Sequence, residues 1–168
     1  MRPDPAFALL GVYDEALPQV FGYLLARCGD RALAEDLTAE SFLAAVGAVR
    51  ARPDAPVCVG WLVGIARHKL VDHWRRRERE ERGLRLLAEV TPESDDPWDA
   101  ELDAMTAHEV LRGLAPQHRA ALVLRYLDGL PVAEVALHLG RTLHATEALL
   151  VRARAAFRRA YPGEERAR

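Results

Sequence analysis

Apolar residues recur at three- and four-residue spacing along most of the chain, with little strict alternation, which predicts helices and no sheet. A first helix is expected over 6–27, with Phe7, Leu10, Leu17, Val20, Phe21 and Leu24 facing inward and Gly11 and Pro18 as points of division. Cys28-Gly29-Asp30 reads as a stop followed by a start, because Gly suits a C-terminal cap and Asp an N-cap. A second helix follows over 31–50, with Leu33, Leu37, Phe42, Leu43 and Val46 on its apolar face and Glu35, Asp36 and Glu40 on its other side. Pro53-Asp54-Ala55-Pro56 cannot continue a helix and is a loop. A third helix starts near Val57 and runs through Trp61, Leu62, Ile65, Ala66 and Leu70 into an arginine-rich stretch. Thr91-Pro92-Glu93-Ser94-Asp95-Asp96-Pro97 has the composition of a linker. Beyond it four shorter helices are expected, over 100–113, 116–128, 131–139 and 143–160. The fold class is therefore all-α: two small helical domains, 1–84 and 105–161, joined by a linker over 85–104 and followed by a tail over 162–168.

The later segment carries a sharper pattern. Pro131 can open a short helix that ends at Gly140, and a second apolar-periodic helix begins at Leu143. Ala136, four residues before the turn glycine, is small enough for two helices to approach, and Gly140 supplies a positive φ. That is the spacing of a helix-turn-helix. On the second helix Thr146, Leu149, Leu150, Ala153 and Phe157 share one stripe and face the core. His144, Ala148, Val151 and Ala155 fall opposite, flanked by Ala145, Glu147, Arg152 and Arg154. In a major groove the N-terminal half of such a helix meets base edges and the later arginines meet phosphates, with Arg141 and Thr142 at its entry. Glu147 can accept from a cytosine amine, and the alanine methyls can touch thymine methyls. An ordinary amphipathic hairpin with a solvated basic face has the same spacing.

Charge changes the picture, although the net value is only −2. Residues 67–85 hold eight basic and four acidic side chains, residues 89–109 eight acids and no Lys or Arg, and residues 143–160 four arginines and one glutamate. The linker is thus acidic, and the flanking basic stretches invite a polyanion. The third helix interleaves its cations with His68, His73 and Trp74, a composition suited to a nucleic-acid backbone and an unstacked base. Arg67, His68, Lys69, Asp72, Trp74, Arg75 and Arg76 are its candidate contacts.

Other chemistry finds no support. The two cysteines, Cys28 and Cys58, are too few for a disulfide framework and fit a reducing cytosol. Cys58, His68 and His73 do not supply the four convergent ligands of structural zinc, so neither a metal nor another cofactor is expected. No phosphate-cradling loop and no nucleophile elbow occurs, and no catalytic residue is assigned. No apolar run approaches the ~20 residues that span a bilayer, and Met1-Arg2-Pro3-Asp4-Pro5 lacks a signal-peptide pattern, so the expected location is the cytoplasm without membrane insertion.

At this point the residues resemble a known family. Ala34-Glu35-Asp36-Leu37-Thr38-Ala39-Glu40-Ser41-Phe42-Leu43 and Trp61-Leu62-Val63-Gly64-Ile65-Ala66-Arg67-His68-Lys69-Leu70-Val71-Asp72-His73-Trp74-Arg75-Arg76 resemble the core-binding and minus-ten region of bacterial sigma factors. Leu114-Ala115-Pro116-Gln117-His118-Arg119, Leu122-Val123-Leu124-Arg125-Tyr126, Gly129-Leu130 and the helix-turn-helix resemble their minus-thirty-five-binding domain. Two domains and no more is the layout of the extracytoplasmic-function group. The resemblance implies a promoter-specificity subunit without catalysis of its own. Its partners would be core RNA polymerase, through the β′ clamp helices and β flap, promoter DNA, and an anti-sigma factor. Glu35, Asp36, Ala39, Glu40 and Phe42 occupy the clamp-binding positions. The loop 53–59 with Arg67, His68, Asp72, Arg75 and Arg76 occupies the minus-ten positions, where a flipped base is captured. The acidic linker would thread near the RNA exit path.

Three departures from the family pattern stand out. Ala39 replaces the usual Gln, and His68 the usual Asn. The recognition helix reads His144-Ala145-Thr146-Glu147-Ala148-Leu149-Leu150 where Gly-Thr-Val-Lys-Ser-Arg-Leu is common, which removes two cationic positions and predicts a weaker electrostatic grip there. A self-standing helix-turn-helix regulator, whose N-terminal helices dimerise or sense a ligand, is the competing reading.

Overall fold

The computed structural model describes residues 4–84 and 104–162. Among them are seven α-helices and one π-helical turn: α1 (Phe7–Cys28), α2 (Arg31–Ala51), α3 (Val59–Leu84), α4 (Ala104–Gly113), α5 (Pro116–Leu122), the π turn (Val123–Leu127), α6 (Val132–Leu139) and α7 (Leu143–Ala160). The expected linker, apart from Ala104, and all of the expected tail but Pro162 lie outside the described residues. Two compact units are present, Met1–Asp72 and His73–Arg168, and the boundary between them falls inside α3.

In the first unit, α1 and α2 pack side by side. Asp4 tethers the start of α1: its carboxylate accepts from the Ala6 N–H at 2.9 Å and from Arg50 Nη2 at 2.8 Å. The Arg50 hydrogen bond, foremost, and the Ala6 N–H hold the Asp4 carboxyl below its usual value. Pro18 does not divide α1, which runs unbroken to the left-handed cap Gly29, φ 65°. Asp30 then caps α2, its side chain accepting from the Leu33 N–H at 3.1 Å.

The face that α1 buries includes Val20 and Leu24 as expected, but not the Phe7 and Leu10 end of the expected row. Leu9, Ala16, Val20, Leu24 and Cys28 are inside, whereas Phe7 and Leu10 are 63% and 66% exposed. On α2 the buried set is Ala34, Leu37, Thr38, Ser41, Ala45 and Val49, and Leu43 is exposed. The buried face of α2 is mostly small (Ala34, Thr38, Ser41, Ala45), whereas Leu9, Val20 and Leu24 supply bulk on α1. The two buried hydroxyls are satisfied within the helix, Thr38 Oγ1 donating to the Ala34 carbonyl and Ser41 Oγ to that of Leu37, both at 2.6 Å. The first half of α3 contributes Leu62, Ala66, Leu70 and Val71 to this core.

The second unit is organised around α7, whose Thr146, Leu149, Leu150, Ala153 and Phe157 are all buried, the stripe its periodicity predicts. α5 and α6 pack against α7, and Ala120, Ala121 and Leu122 of α5, Val123 and Leu124 of its extension, and Val135, Ala136 and Leu139 of α6 are buried with it. Arg119 of α5 closes the end of α4: Nε donates to the Leu111 carbonyl at 2.8 Å and Nη2 to that of Arg112, satisfying carbonyls that a helix end leaves open. The single helix expected over 116–128 instead widens after Leu122 into the π turn, with the Asp128 N–H reaching back to the Val123 carbonyl at 3.0 Å. Gly140, φ 62°, terminates α6 with the Arg141 N–H bonded to the Ala136 carbonyl at 3.0 Å, a Schellman closure that turns the chain toward α7. Thr142 caps α7, accepting from the Ala145 N–H at 3.2 Å.

Candidate functional site

The outer face of α2 brings the expected acidic residues together. Glu35, Asp36, Ala39 and Glu40 are all exposed, and Phe42 is half-buried beside them. Glu35 is paired with Arg31 at 2.8 Å, an i,i+4 contact in solvent. Phe42 meets Tyr13 of α1 edge-on, with ring centroids 5.2 Å apart. The periodicity did not reveal what lies beside this face. Two adjoining cavities of about 500 and 640 Å³ run along the α1–α2 seam and share Tyr13, Ala39 and Phe42. Phe7, Leu10, Leu43 and Val46 line the larger. These are the residues assigned to the core by their spacing, and their surplus over one helical stripe was the available signal. The surface is therefore acidic along one edge and apolar along the next, suited to a helical partner that presents both cations and apolar groups.

On α3, His68, Asp72, Arg75 and Arg76 are exposed, and Arg67 and Lys69 are half-buried. Trp74 is a correction. Expected among the residues that face nucleic acid, it is 2% exposed and continues the buried row Leu62, Ala66, Leu70. An indole four residues beyond Leu70 falls on the same side of the helix as that buried row, and its ring is buried in the second unit.

In the helix-turn-helix, Leu143, His144 and Glu147 stand exposed at the start of α7, with Ala145, Ala148 and Val151 half-buried. Arg152 and Arg154 lie further along, and Arg154 donates to the Tyr126 hydroxyl at 3.1 Å. Arg141 is held rather than free: its Nη2 donates to Gln117 Oε1 at 3.0 Å, an oxygen that also accepts from Arg82 at 3.2 Å. Burial, and after it the nearby cation Arg82, lower the pKa of Arg141. Within this second unit the Arg75 guanidinium also lies close to Gly140. Gln117 is a positioning residue that the sequence pattern did not single out.

His118 on α5 is half-buried, and its pKa is lowered from 6.5, first by burial, then by Arg152, with Arg159 and Arg141 adding to the effect and Glu78 opposing it. A base with a depressed native pKa stays neutral in the fold while the unfolded chain takes up a proton. The native state thus loses stability as pH falls below about 6.5, and gains nothing further above it. Thermal unfolding of the full chain should therefore shift to lower temperature between pH 7 and pH 5. His118→Gln should flatten that dependence in the α5–α7 transition; an unchanged pH profile in the variant would remove His118 as its source.

Two stretches of the chain match known families, one on each side of residues 81–103. Residues 12–80 match the family described as Sigma-70 region 2, and residues 104–157 that described as Sigma-70, region 4. The chain is 33% identical over 160 residues to the ECF RNA polymerase sigma factor BldN of Streptomyces coelicolor, covering 92% of this chain and 61% of BldN. It is 31% identical over 148 residues to the ECF RNA polymerase sigma factor SigC of Mycobacterium tuberculosis, covering 86% and 79% of the two chains. It is 32% identical over 143 residues to the ECF RNA polymerase sigma factor SigL of that species, covering 80% and 78%. The chain thus spans less than two thirds of BldN and more than three quarters of the mycobacterial proteins. Among solved structures, the sigma factor RpoE of Bartonella quintana, in complex with the anti-sigma factor NepR, superimposes with a TM-score of 0.53 at 19% identity, covering 86% of this chain and 91% of that one. At that identity the likeness is one of fold.

Proposed function

Since the chain belongs to the family of ECF RNA polymerase sigma factors, we propose that it joins core RNA polymerase, directs it to promoters carrying minus-thirty-five and minus-ten elements, and helps open the DNA. The observation that carries this reading is the presence, on separate units of one chain, of an acidic-apolar helix face and a helix-turn-helix whose second helix exposes the side opposite its buried stripe.

Each surface has a role suited to its chemistry. Asp36, Glu40 and Glu35 meet cations of the β′ clamp helices, while Phe42 and the open side of Ala39 meet its apolar groups. His68, Asp72, Arg75 and Arg76, with Arg67 and Lys69, face minus-ten DNA. Unstacking a base costs a few kcal/mol, which phosphate contacts and capture of the flipped base must offset. The start of α7 reads the minus-thirty-five element, and Arg152 and Arg154 bind its phosphates. The chain contributes binding and not bond-breaking chemistry, it works in the cytoplasm where the polymerase is, and the β flap and an anti-sigma factor are its further partners.

Run-off transcription with purified core polymerase over a promoter library tests the reading. The chain should direct discrete start sites that core alone does not produce. Absence of any start site, with tight DNA binding by the chain alone, would overturn it in favour of a self-standing regulator.

A further inference from the structure

Resting on that reading, we propose that Glu147 makes α7 select a cytosine in the minus-thirty-five element, with Leu143 and Ala148 contacting neighbouring thymine methyls. In the first two turns of α7 the exposed side chains are Leu143, 50% exposed, His144 and Glu147, while Thr146, Leu149 and Leu150 are buried. Glu147 lies midway in the i±4 row Leu143, Glu147, Val151, so an exposed acid is flanked by apolar groups along one edge of the surface opposite the buried stripe. No Lys or Arg occurs on α7 before Arg152, so this helix has no early side chain for the bidentate contact to guanine O6 and N7.

Structural reasons for the acid are weak. Thr142 is the N-cap, and the position from which a glutamate would complete a capping box is Ala145. Glu147 is already past the first turn, where the helix dipole favours acids most. Among the described residues it makes no ion pair. A carboxylate only accepts hydrogen bonds, and the major groove offers it two donors, cytosine N4 and adenine N6. Adenine places the N7 acceptor beside its amine, which repels the second carboxylate oxygen; cytosine places a C–H there. Guanine and thymine offer no donor at their major-groove edges, only acceptors and the thymine methyl. The order of preference is cytosine first, then adenine, with guanine and thymine disfavoured.

The test uses the full chain with core polymerase and a promoter randomised through its minus-thirty-five element, reading transcripts per sequence. The unsubstituted chain should favour cytosine at one position by about tenfold, with thymine favoured beside it. Glu147→Gln should move the preference at that same position to adenine, because an amide pairs with N6 and N7 together. Glu147→Ala should flatten that position and leave the others as they were. Identical base profiles for all three proteins, or no position that favours cytosine, would overturn the assignment while leaving promoter-directed initiation intact. Failure of the unsubstituted chain to start any transcript would overturn the sigma reading and the assignment with it.

Discussion

Reversing two charges on α2 together, Asp36→Lys with Glu40→Lys, is expected to weaken binding to core polymerase by roughly 30-fold or more. An exposed ion pair contributes up to about 1 kcal/mol, and reversal replaces attraction with repulsion at each site, so two sites sum to about 2–4 kcal/mol. That is about 30- to 1,000-fold in affinity. The fold should not change, because both side chains are exposed. The native pair is itself an i,i+4 like-charge pair, which costs a helix a few tenths of a kcal/mol, and the reversed pair repeats that cost. Nothing in the packing of α2 against α1 requires two acids there, which is why a partner's cations are the natural explanation. Titration of labelled protein with core polymerase at two salt concentrations checks this. Unsubstituted protein should lose affinity as salt rises, while the reversed variant should lose little further. Equal affinities for the two proteins would show that the clamp does not use this face.

Leu149→Ala is expected to destabilise the second unit by about 2–5 kcal/mol. Leu149 is fully buried at the middle of the α7 stripe, where α5 and α6 converge. A helical unit of this size is stable by only a few kcal/mol, at about 0.05–0.15 kcal/mol per residue, so the loss consumes much or all of its margin. Hydrogen exchange on the full chain reads the effect by element. Amides of α5, α6 and α7 should lose most of their protection, and those of α1 and α2 should keep theirs. Leu149→Met, which conserves volume, should cost less than about 1.5 kcal/mol and retain protection. Protection unchanged by the alanine would mean that the stripe is not what holds the unit together.

These two residue sets differ in how readily they could be read from the chain. The α7 stripe was legible because Thr146, Leu149, Leu150, Ala153 and Phe157 form the one continuous apolar side, the remaining positions being mostly polar or alanine, with only Leu143 and Val151 as larger apolar exceptions. The acidic face of α2 was legible for the same reason. On α1 the pattern was ambiguous: apolar residues lie most of the way round, and a row through Phe7 and Leu10 was as well formed as the row through Leu9, Ala16 and Val20 that is actually buried. The choice was made by the packing of α1 against α2, whose buried face is mostly small: Ala34, Thr38, Ser41 and Ala45. Trp74 was misplaced for a related reason, since an indole among arginines suits nucleic acid in composition and suits the interior in register. The role of Gln117 was invisible, because it depends on Arg82 and Arg141, distant in the chain.

By itself the amino-acid sequence determined most of the helices, their stops at Gly29 and Gly140, the start at Asp30, the charge of each stretch and the motifs that mark the family. All of these depend on groups within four or five residues of one another, through backbone hydrogen bonds, caps and local spacing. Tertiary structure alone decided which apolar row of α1 went inside, that Phe7, Leu10 and Leu43 remained as an open surface, that Trp74 joined the core, and that Arg141 was held while Glu147 stood exposed. Burial is a property of contacts between distant segments, and no local pattern specifies which of two adequate faces a helix will find covered.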